Sequence, residues 1–365
     1  LRVTIKDIAE KAGVSKTTVS FAFNDPGRIS TETYKRVMDI VAELGYVPDP
    51  VARTLTTKKL GALGLLLPQP IQEVLANPYL CEVIRGIGEV CEEKDLALTM
   101  LPPVKGRIVE AARRAAVDAL LTIGVGPGTD VTEVIERRHL PFVTIDGAES
   151  DRTINVGVND ESASYSIMKH ILGLGHRRVA ILALRPEFYN PPDECFSQVI
   201  ESRLHGFGRA LGEYGLDFKS EGVHVVPAEG SIEGGERAGL ELLSRREGAP
   251  TAIMAMADAA AIGVYRACKQ LGLSVPADLS VTGFDDIPLA AMVDPPLTTV
   301  HQPGREKGSC AAHLALELLE GGSPGHRLLD AAIVLRGSTG APPQSLNTQA
   351  EGSGQAALGA EDPRR

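Results

Sequence analysis

Apolar side chains at Ile5, Ile8, Ala9 and Ala12 recur at the i, i+3, i+4, i+7 spacing of a helical stripe. Gly13 then breaks the run, because glycine takes a positive φ at no steric cost. Ser15 is a good N-cap for a second short helix whose inward face is Val19, Ala22 and Phe23, with Val14 filling the gap between the two. Lys16, Thr17, Ser20 and Phe21 remain on the outer face. A third helix is predicted from Ser30 or Thr31, with Tyr34, Val37, Val41 and Leu44 at helical spacing and Gly45 at its end. Two short helices joined by a tight turn, the second polar on its outer face, form a pattern that fits the DNA major groove.

Residues 46–59 read as a linker. Pro48 and Pro50 stop the third helix, and Asp49 and Pro50 can start about two helical turns over Val51–Thr57. So short a helix is marginal in water and is expected to form only on DNA. Leu55 is an apolar side chain on an otherwise polar linker, either incidental or a wedge between minor-groove base pairs. From Gly61 onward the pattern changes. Strand-like runs at Leu63–Leu67, Leu96–Leu101, Ala119–Val125, Phe142–Asp146, Val179–Leu184, Val223–Val226, Ala252–Met256 and Ser280–Phe284 alternate with helical segments. Those segments are 79–93, 106–116, 130–138, 161–173, 198–214, 233–245 and 259–271. The alternation predicts parallel α/β sheets, and the number of strands predicts two lobes. A ligand is expected between them, at the carboxyl ends of the strands. Residues 337–365 lack apolar periodicity and are predicted to be a disordered tail, without a leucine heptad for tetramerisation.

Charge sharpens this division. The 365-residue chain carries a net charge of −10, yet residues 1–60 hold ten Lys/Arg against seven Asp/Glu, and the acidic excess lies in the remainder. A mildly basic head on an acidic body suits a protein that touches DNA with one end. No apolar run approaches the ~20 residues of a membrane span, and the opening residues are not a basic segment followed by an apolar one. The expected location is the cytoplasm, associated with the nucleoid. The five cysteines (Cys81, Cys91, Cys195, Cys268, Cys310) are scattered and read as reduced thiols. Gly124-Val-Gly-Pro-Gly after a strand mimics a dinucleotide fingerprint, but its glycine spacing is wrong and Pro127 removes an N–H. Asp285-Asp286 with Asp258 raises the question of a metal, but no His or further carboxylate stands at ligand spacing, and His176 reads as a polar turn. No nucleophile elbow stands out. The expectation is therefore no catalytic residue, no metal and no cofactor.

The motifs together resemble the LacI/GalR family of ligand-responsive transcriptional repressors over residues 3–336. They are Val3-Thr-Ile-Lys-Asp-Ile-Ala-Glu-Lys-Ala-Gly-Val-Ser on to Asn24, then Arg28-Ile-Ser, Gly45-Tyr-Val-Pro and Ala52-Arg-Thr-Leu. The body adds Asn77-Pro-Tyr, Leu174-Gly-His-Arg-Arg-Val-Ala, Arg203-Leu-His-Gly-Phe, Val275-Pro-Ala-Asp-Leu-Ser-Val-Thr-Gly-Phe-Asp-Asp and Pro296-Leu-Thr-Thr-Val. The resemblance implies a helix-turn-helix head (1–46), a hinge helix (47–59), and two Rossmann-like parallel α/β lobes of periplasmic-binding-protein type (60–336) that bind effector and dimerise. It implies a homodimer on a pseudo-palindromic operator, acting as a repressor whose operator affinity is set by a small molecule, with a carbohydrate expected. A sugar-binding protein or sugar-processing enzyme on a similar body is the alternative, which would lack the head. Lys16 and Thr17 fall at base-reading positions. Ser15, Thr18, Asn24 and Tyr46 fall at backbone-contacting ones, and Leu55 falls at the wedge with Ala52 beside it. Thr4, Ser20 and Arg28 complete the expected DNA set. Phe21 stands where many members place an Arg; it cannot hydrogen-bond guanine but can pack on a thymine methyl. Arg203 and Asp285 match effector-holding positions, a fork of donors beside a bidentate acceptor. Tyr79 matches a pocket-lining position, and Asp160 and Asp258 are added as further contacts. Ala257 departs from the usual Asn, and the segment 185–197 is longer than the family norm and is expected near the pocket mouth.

Overall fold

The computed structural model describes residues 3–47, 59–184, 198–244 and 248–343. The chain divides after Leu60 into two compact units. The hinge, including Ala52 and Leu55, the 185–197 segment and the tail beyond 343 lie outside the described residues.

The first unit is a three-helix head: α1 (Ile5–Ala12), α2 (Lys16–Asn24) and α3 (Thr31–Leu44). Its ends are written locally. Gly13 and Gly45 take φ of 66° and 57° and receive the chain as left-handed caps. Ser15 and Ser30 each accept a backbone N–H three residues on, at 3.0 and 3.2 Å. Ile8, Ala9, Ala12, Val19, Ala22 and Val37 form the core, against which Val14, Phe23 and Tyr46 pack. Tyr34, expected on the inner stripe of α3, is 37% exposed.

The second unit holds two parallel sheets. The first lobe runs β1 (Ala62–Leu66), α4 (Ile71–Ala76), α5 (Pro78–Glu93), β2 (Ala97–Leu101), α6 (Ile108–Arg114), β3 (Ala119–Ile123), α7 (Asp130–Arg137), β4 (Phe142–Ile145) and β5 (Ile154–Val158). The second runs α8 (Asp160–Gly173), β6 (Val179–Leu184), α9 (Gln198–Glu213), β7 (Val223–Ala228), α10 (Ile232–Ser244), β8 (Ala252–Ala255), α11 (Asp258–Leu271), β9 (Ser280–Thr282) and β10 (Thr299–His301). The chain then returns to the first lobe with α12 (Gly304–Leu319) and β11 (Arg327–Leu329), and ends in the second with β12 (Ala332–Val334). The sheet orders are β11-β5-β4-β3-β1-β2 and β7-β6-β8-β9, with β10 and β12 as an antiparallel pair. Central strands such as β1 and β3 are buried on both faces, which explains their unbroken apolar runs.

The elements the sequence pattern did not reveal are those made of short or atypical stretches: α4, β5, β10, β11, β12 and α12. The buried face of α12 is Gly304, Lys307, Gly308, Ala311, Ala312, Leu314 and Ala315, a helical spacing with a single large apolar side chain. Its glycines have a steric reason. A Cβ on Gly308 would run into the backbone carbonyl of Val83 on α5, and one on Gly86 into that of Arg305. The two helices therefore pack backbone to backbone.

The expected start of a disordered tail at 337 needs correcting. Ser338 is fully buried, donates to the Val281 carbonyl at 2.6 Å and accepts the Thr298 N–H at 2.7 Å. Buried His176 bonds the Gly340 carbonyl at 2.9 Å and Thr251 at 2.8 Å. Residues 337–343 are thus held by polar groups of the second lobe, a signal that apolar periodicity does not carry. Among the described residues no helix is long and apolar enough to cross a membrane.

Candidate DNA-reading face and effector cavity

In the head, Lys16, Thr17, Ser20, Phe21 and Asn24 fall on one side of α2 by helical spacing. Lys16 and Thr17 are exposed at its first turn. Ser15 and Thr18 cap that turn together, their hydroxyls 2.9 Å apart. Thr4 caps α1, its hydroxyl and N–H both bonded to Asp7 at 2.8 Å. Asn24 donates back to the Ser20 carbonyl and hydroxyl at 3.1 and 3.2 Å. The Arg28 guanidinium lies 5.3 Å from the Phe21 ring centroid and pairs with Asp25 at 2.8 Å. Tyr46 packs beside Phe23 at a centroid distance of 5.9 Å, so its ring serves the core as well.

In the body, a cavity of about 150 Å³ opens between the lobes. Tyr79 and Asp146 line it from the first lobe, Arg203, Ala257 and Asp285 from the second, and Gln302 from the strand-to-helix crossing. Leu184 and Val199, which flank the 185–197 segment, also line it. Tyr79 stands in the first turn of α5, where the Asn77 side chain caps the helix by accepting its N–H at 3.0 Å.

Arg203 is 3% exposed. Its Nε donates to Asp160 Oδ1 at 2.8 Å and its Nη1 to the Met256 carbonyl at 2.6 Å. Its guanidinium carbon sits 3.5 Å from the Phe284 ring centroid. Its Nη2 has no hydrogen-bond partner among the described residues. Asp160 therefore stands behind Arg203, within one lobe, instead of forming part of the wall. Burial pushes its carboxyl up, opposed by the Arg203 charge. Asp258 is further from its expected role. Its carboxylate accepts the Ile287 N–H at 2.9 Å and the Thr299 hydroxyl at 2.5 Å, fully buried beneath the loop after β9. A Cβ on Gly283 would collide with it. Asp258 fastens that loop and does not line the cavity; burial raises its pKa to about 6. Ala257, at the N-cap of α11, offers no side-chain cap.

Asp285 lines the cavity with φ of 129°. Burial, and then the Asp258 charge close by, push its carboxyl up to about 8. It pairs with Gln302, whose Nε2 donates to Oδ1 at 2.5 Å. Gln302 in turn accepts from Lys307 Nζ at 2.7 Å, and Lys307 also reaches Asp146 at 2.5 Å and Tyr79 Oη at 2.9 Å. Tyr79 donates to Asp146 at 2.6 Å, and burial holds its hydroxyl well above the ordinary tyrosine range, hence neutral. Asp146, Gln302 and Lys307 were not among the expected site residues. Asp146 at the end of a predicted strand was the one signal available; a lysine in an unpredicted helix gave none.

The head matches the family model of bacterial regulatory proteins, lacI family, over residues 4–49, and the body matches the periplasmic binding protein-like domain over 168–339. The HTH-type transcriptional regulator Rv3575c of Mycobacterium tuberculosis is 32% identical over 356 residues, covering 94% of this chain and 98% of the relative. The HTH-type transcriptional repressor PurR of Photobacterium profundum is 32% identical over 324 residues, covering 86% and 91%. Among solved structures, the lac repressor dimer bound to operator and the anti-inducer ONPF is similar with a TM-score of 0.75 and 27% identity, over 93% of this chain and 100% of that one. With its helix-turn-helix head and two parallel α/β lobes, the chain belongs to the lacI family of bacterial regulatory proteins, DNA-binding regulators of transcription.

Proposed function

We propose that the chain acts in the cytoplasm, on the nucleoid, as a homodimeric repressor at a pseudo-palindromic operator, and that a small molecule between the lobes, a sugar in the first instance, sets its operator affinity. The observation that carries the effector reading is the convergence of Tyr79, Arg203 and Asp285, three distant stretches of sequence, on one cavity wall. A guanidinium with an open N–H beside a carboxyl group is suited to hydroxyl recognition. In the head, Lys16, Thr17 and Phe21 read base edges, while Ser15, Thr18, Asn24 and Tyr46 meet the backbone and Thr4, Ser20 and Arg28 flank them. Leu55 from each subunit opens the minor groove, at a cost of a few kcal/mol offset by the contacts of bent DNA. A ligand that prefers one angle between the lobes shifts operator affinity by its differential binding energy for the two states.

The test is a fluorescence-anisotropy titration of the full chain on its own upstream DNA, with and without a panel of mono- and oligosaccharides. Tight, salt-dependent binding altered by one sugar is the expected result. Tight binding that no small molecule alters would contradict the effector reading. Leu55→Ala should weaken specific binding at least tenfold and spare random DNA; equal losses on both would remove the wedge.

A further inference from the structure

We infer that the cavity selects an uncharged ligand and rejects phosphate- and carboxylate-bearing ones, because the cation of its wall, Arg203, and the one buried behind it, Lys307, are already neutralised, Arg203 by Asp160 and Lys307 by Asp146. The inference rests on the effector reading above and adds the ligand's charge class.

Lys307 is the residue that fixes this chemistry. It is fully buried in the first turn of α12, and its ammonium can only donate. Its bonds to Asp146, Gln302 and Tyr79 use all three of its donors. Gln302 must therefore turn its carbonyl to Lys307 and its amide nitrogen to Asp285, as observed. Tyr79 must accept from Lys307 and donate to Asp146, as observed. One positioning residue thus sets the direction of every hydrogen bond from Tyr79 to Asp285, across both lobes.

What this wall offers a ligand is the remaining lone pairs of Asp146, N–H groups of Gln302 and Arg203, and the carboxyl of Asp285, which its surroundings hold toward the protonated form. Donors and acceptors alternate with no excess positive charge. Hydroxyls or a ring amide match such a wall. A phosphate or carboxylate would lose its water and meet carboxylates, with no unpaired cation to compensate it. Two adjoining recesses add Glu73 and Glu149 and no lysine or arginine among the described residues, and a third, which shares Tyr79, Asp285 and Gln302 with the cavity, holds Arg305, itself paired with Glu89.

The experiment is a thermal-shift and calorimetric titration of the full chain with matched pairs at equal ionic strength: D-ribose with D-ribose 5-phosphate, D-glucose with D-glucose 6-phosphate and D-gluconate, adenosine with AMP. Saturable binding of an uncharged member, with its anionic partner at least tenfold weaker, is expected. An anionic member that binds as tightly or more tightly, and loses affinity in Lys307→Met, would overturn the inference. A panel without a binder passes the decision to Asp146→Asn, which leaves Lys307 unpaired; Asp160→Asn does the same for Arg203 should the first not fold. The variant is expected to gain millimolar binding of inorganic phosphate relative to wild type, and no gain would show that these charges do not govern the cavity. A ligand that binds without changing operator affinity would break the effector reading and leave this inference standing; an anionic ligand that changes operator affinity would do the reverse.

Discussion

In the head, the side-chain bonds on the candidate DNA-reading face lie between Thr4 and Arg28 and join neighbours three or four positions apart. Ser15 caps through Thr18, Thr4 through Asp7, Asn24 through Ser20. In the body, the network behind the cavity wall joins residues as far apart as Tyr79 and Lys307, 228 positions, through a buried chain of charged and polar groups. A surface assembled from local caps can lose one member and keep its shape. A buried network whose hydrogen-bond directions are set by a single ammonium cannot, since removing one partner leaves the rest unsatisfied.

The largest effect that sharpens this contrast is expected at Lys307. Lys307→Met should destabilise the body by about 3–5 kcal/mol, because Asp146 is left as an uncompensated buried charge. Urea unfolding measures it, and adding Asp146→Leu should restore much of the loss. A single variant as stable as wild type would mean that the pair is not a unit.

Asp285 gives a pH-dependent version. Its folded pKa of about 8 lies above the ordinary 3.8, so the folded state binds the proton more tightly. Stability from this group is fully present below about pH 4 and is lost as pH rises toward 8. Asp285→Asn, which mimics the protonated form, should differ less from wild type near pH 5 than near pH 8.5, with its advantage growing by at least ~3 °C over that range, about 1 kcal/mol for a body of this size. A difference that does not grow with pH would contradict the assignment.

The smallest effect is in the head. Ser15→Ala removes one cap and should cost about 1 kcal/mol. Unfolding followed by tyrosine or circular-dichroism signals of an isolated melting phase checks it. A cost above about 3 kcal/mol would show that the head, too, behaves as a network, and the contrast would fail.

The same difference decides what the sequence could reveal. The head was legible because its signals are local: Gly13 and Gly45 occupy left-handed caps, Ser15 caps α2, and the apolar stripe of α1 is its buried face. The alternating strands and helices of the body were legible for the same reason, down to the bounds of β6. The crossing elements were not. β10, β11 and β12 are three residues each, and apart from Leu314 the buried face of α12 is made of Gly, Ala and Lys. Because α12 was missed, Lys307 was missed. Tyr79, Arg203 and Asp285 were reached through motifs and do line the cavity. Asp160 and Asp258 sit beside it in supporting positions, a distinction of side-chain partners that no spacing encodes.

The central claim is that the cavity of the body governs the DNA affinity of the head. It is tested most directly by operator-binding isotherms of wild type and Arg203→Lys, with and without a ligand that alters wild-type binding. Lysine keeps a positive charge opposite Asp160 but loses the fork that reaches Met256 and the cavity. The account predicts unchanged operator affinity without ligand and a response shifted to at least tenfold higher ligand concentration. A response identical to wild type would place the control of DNA binding outside this cavity.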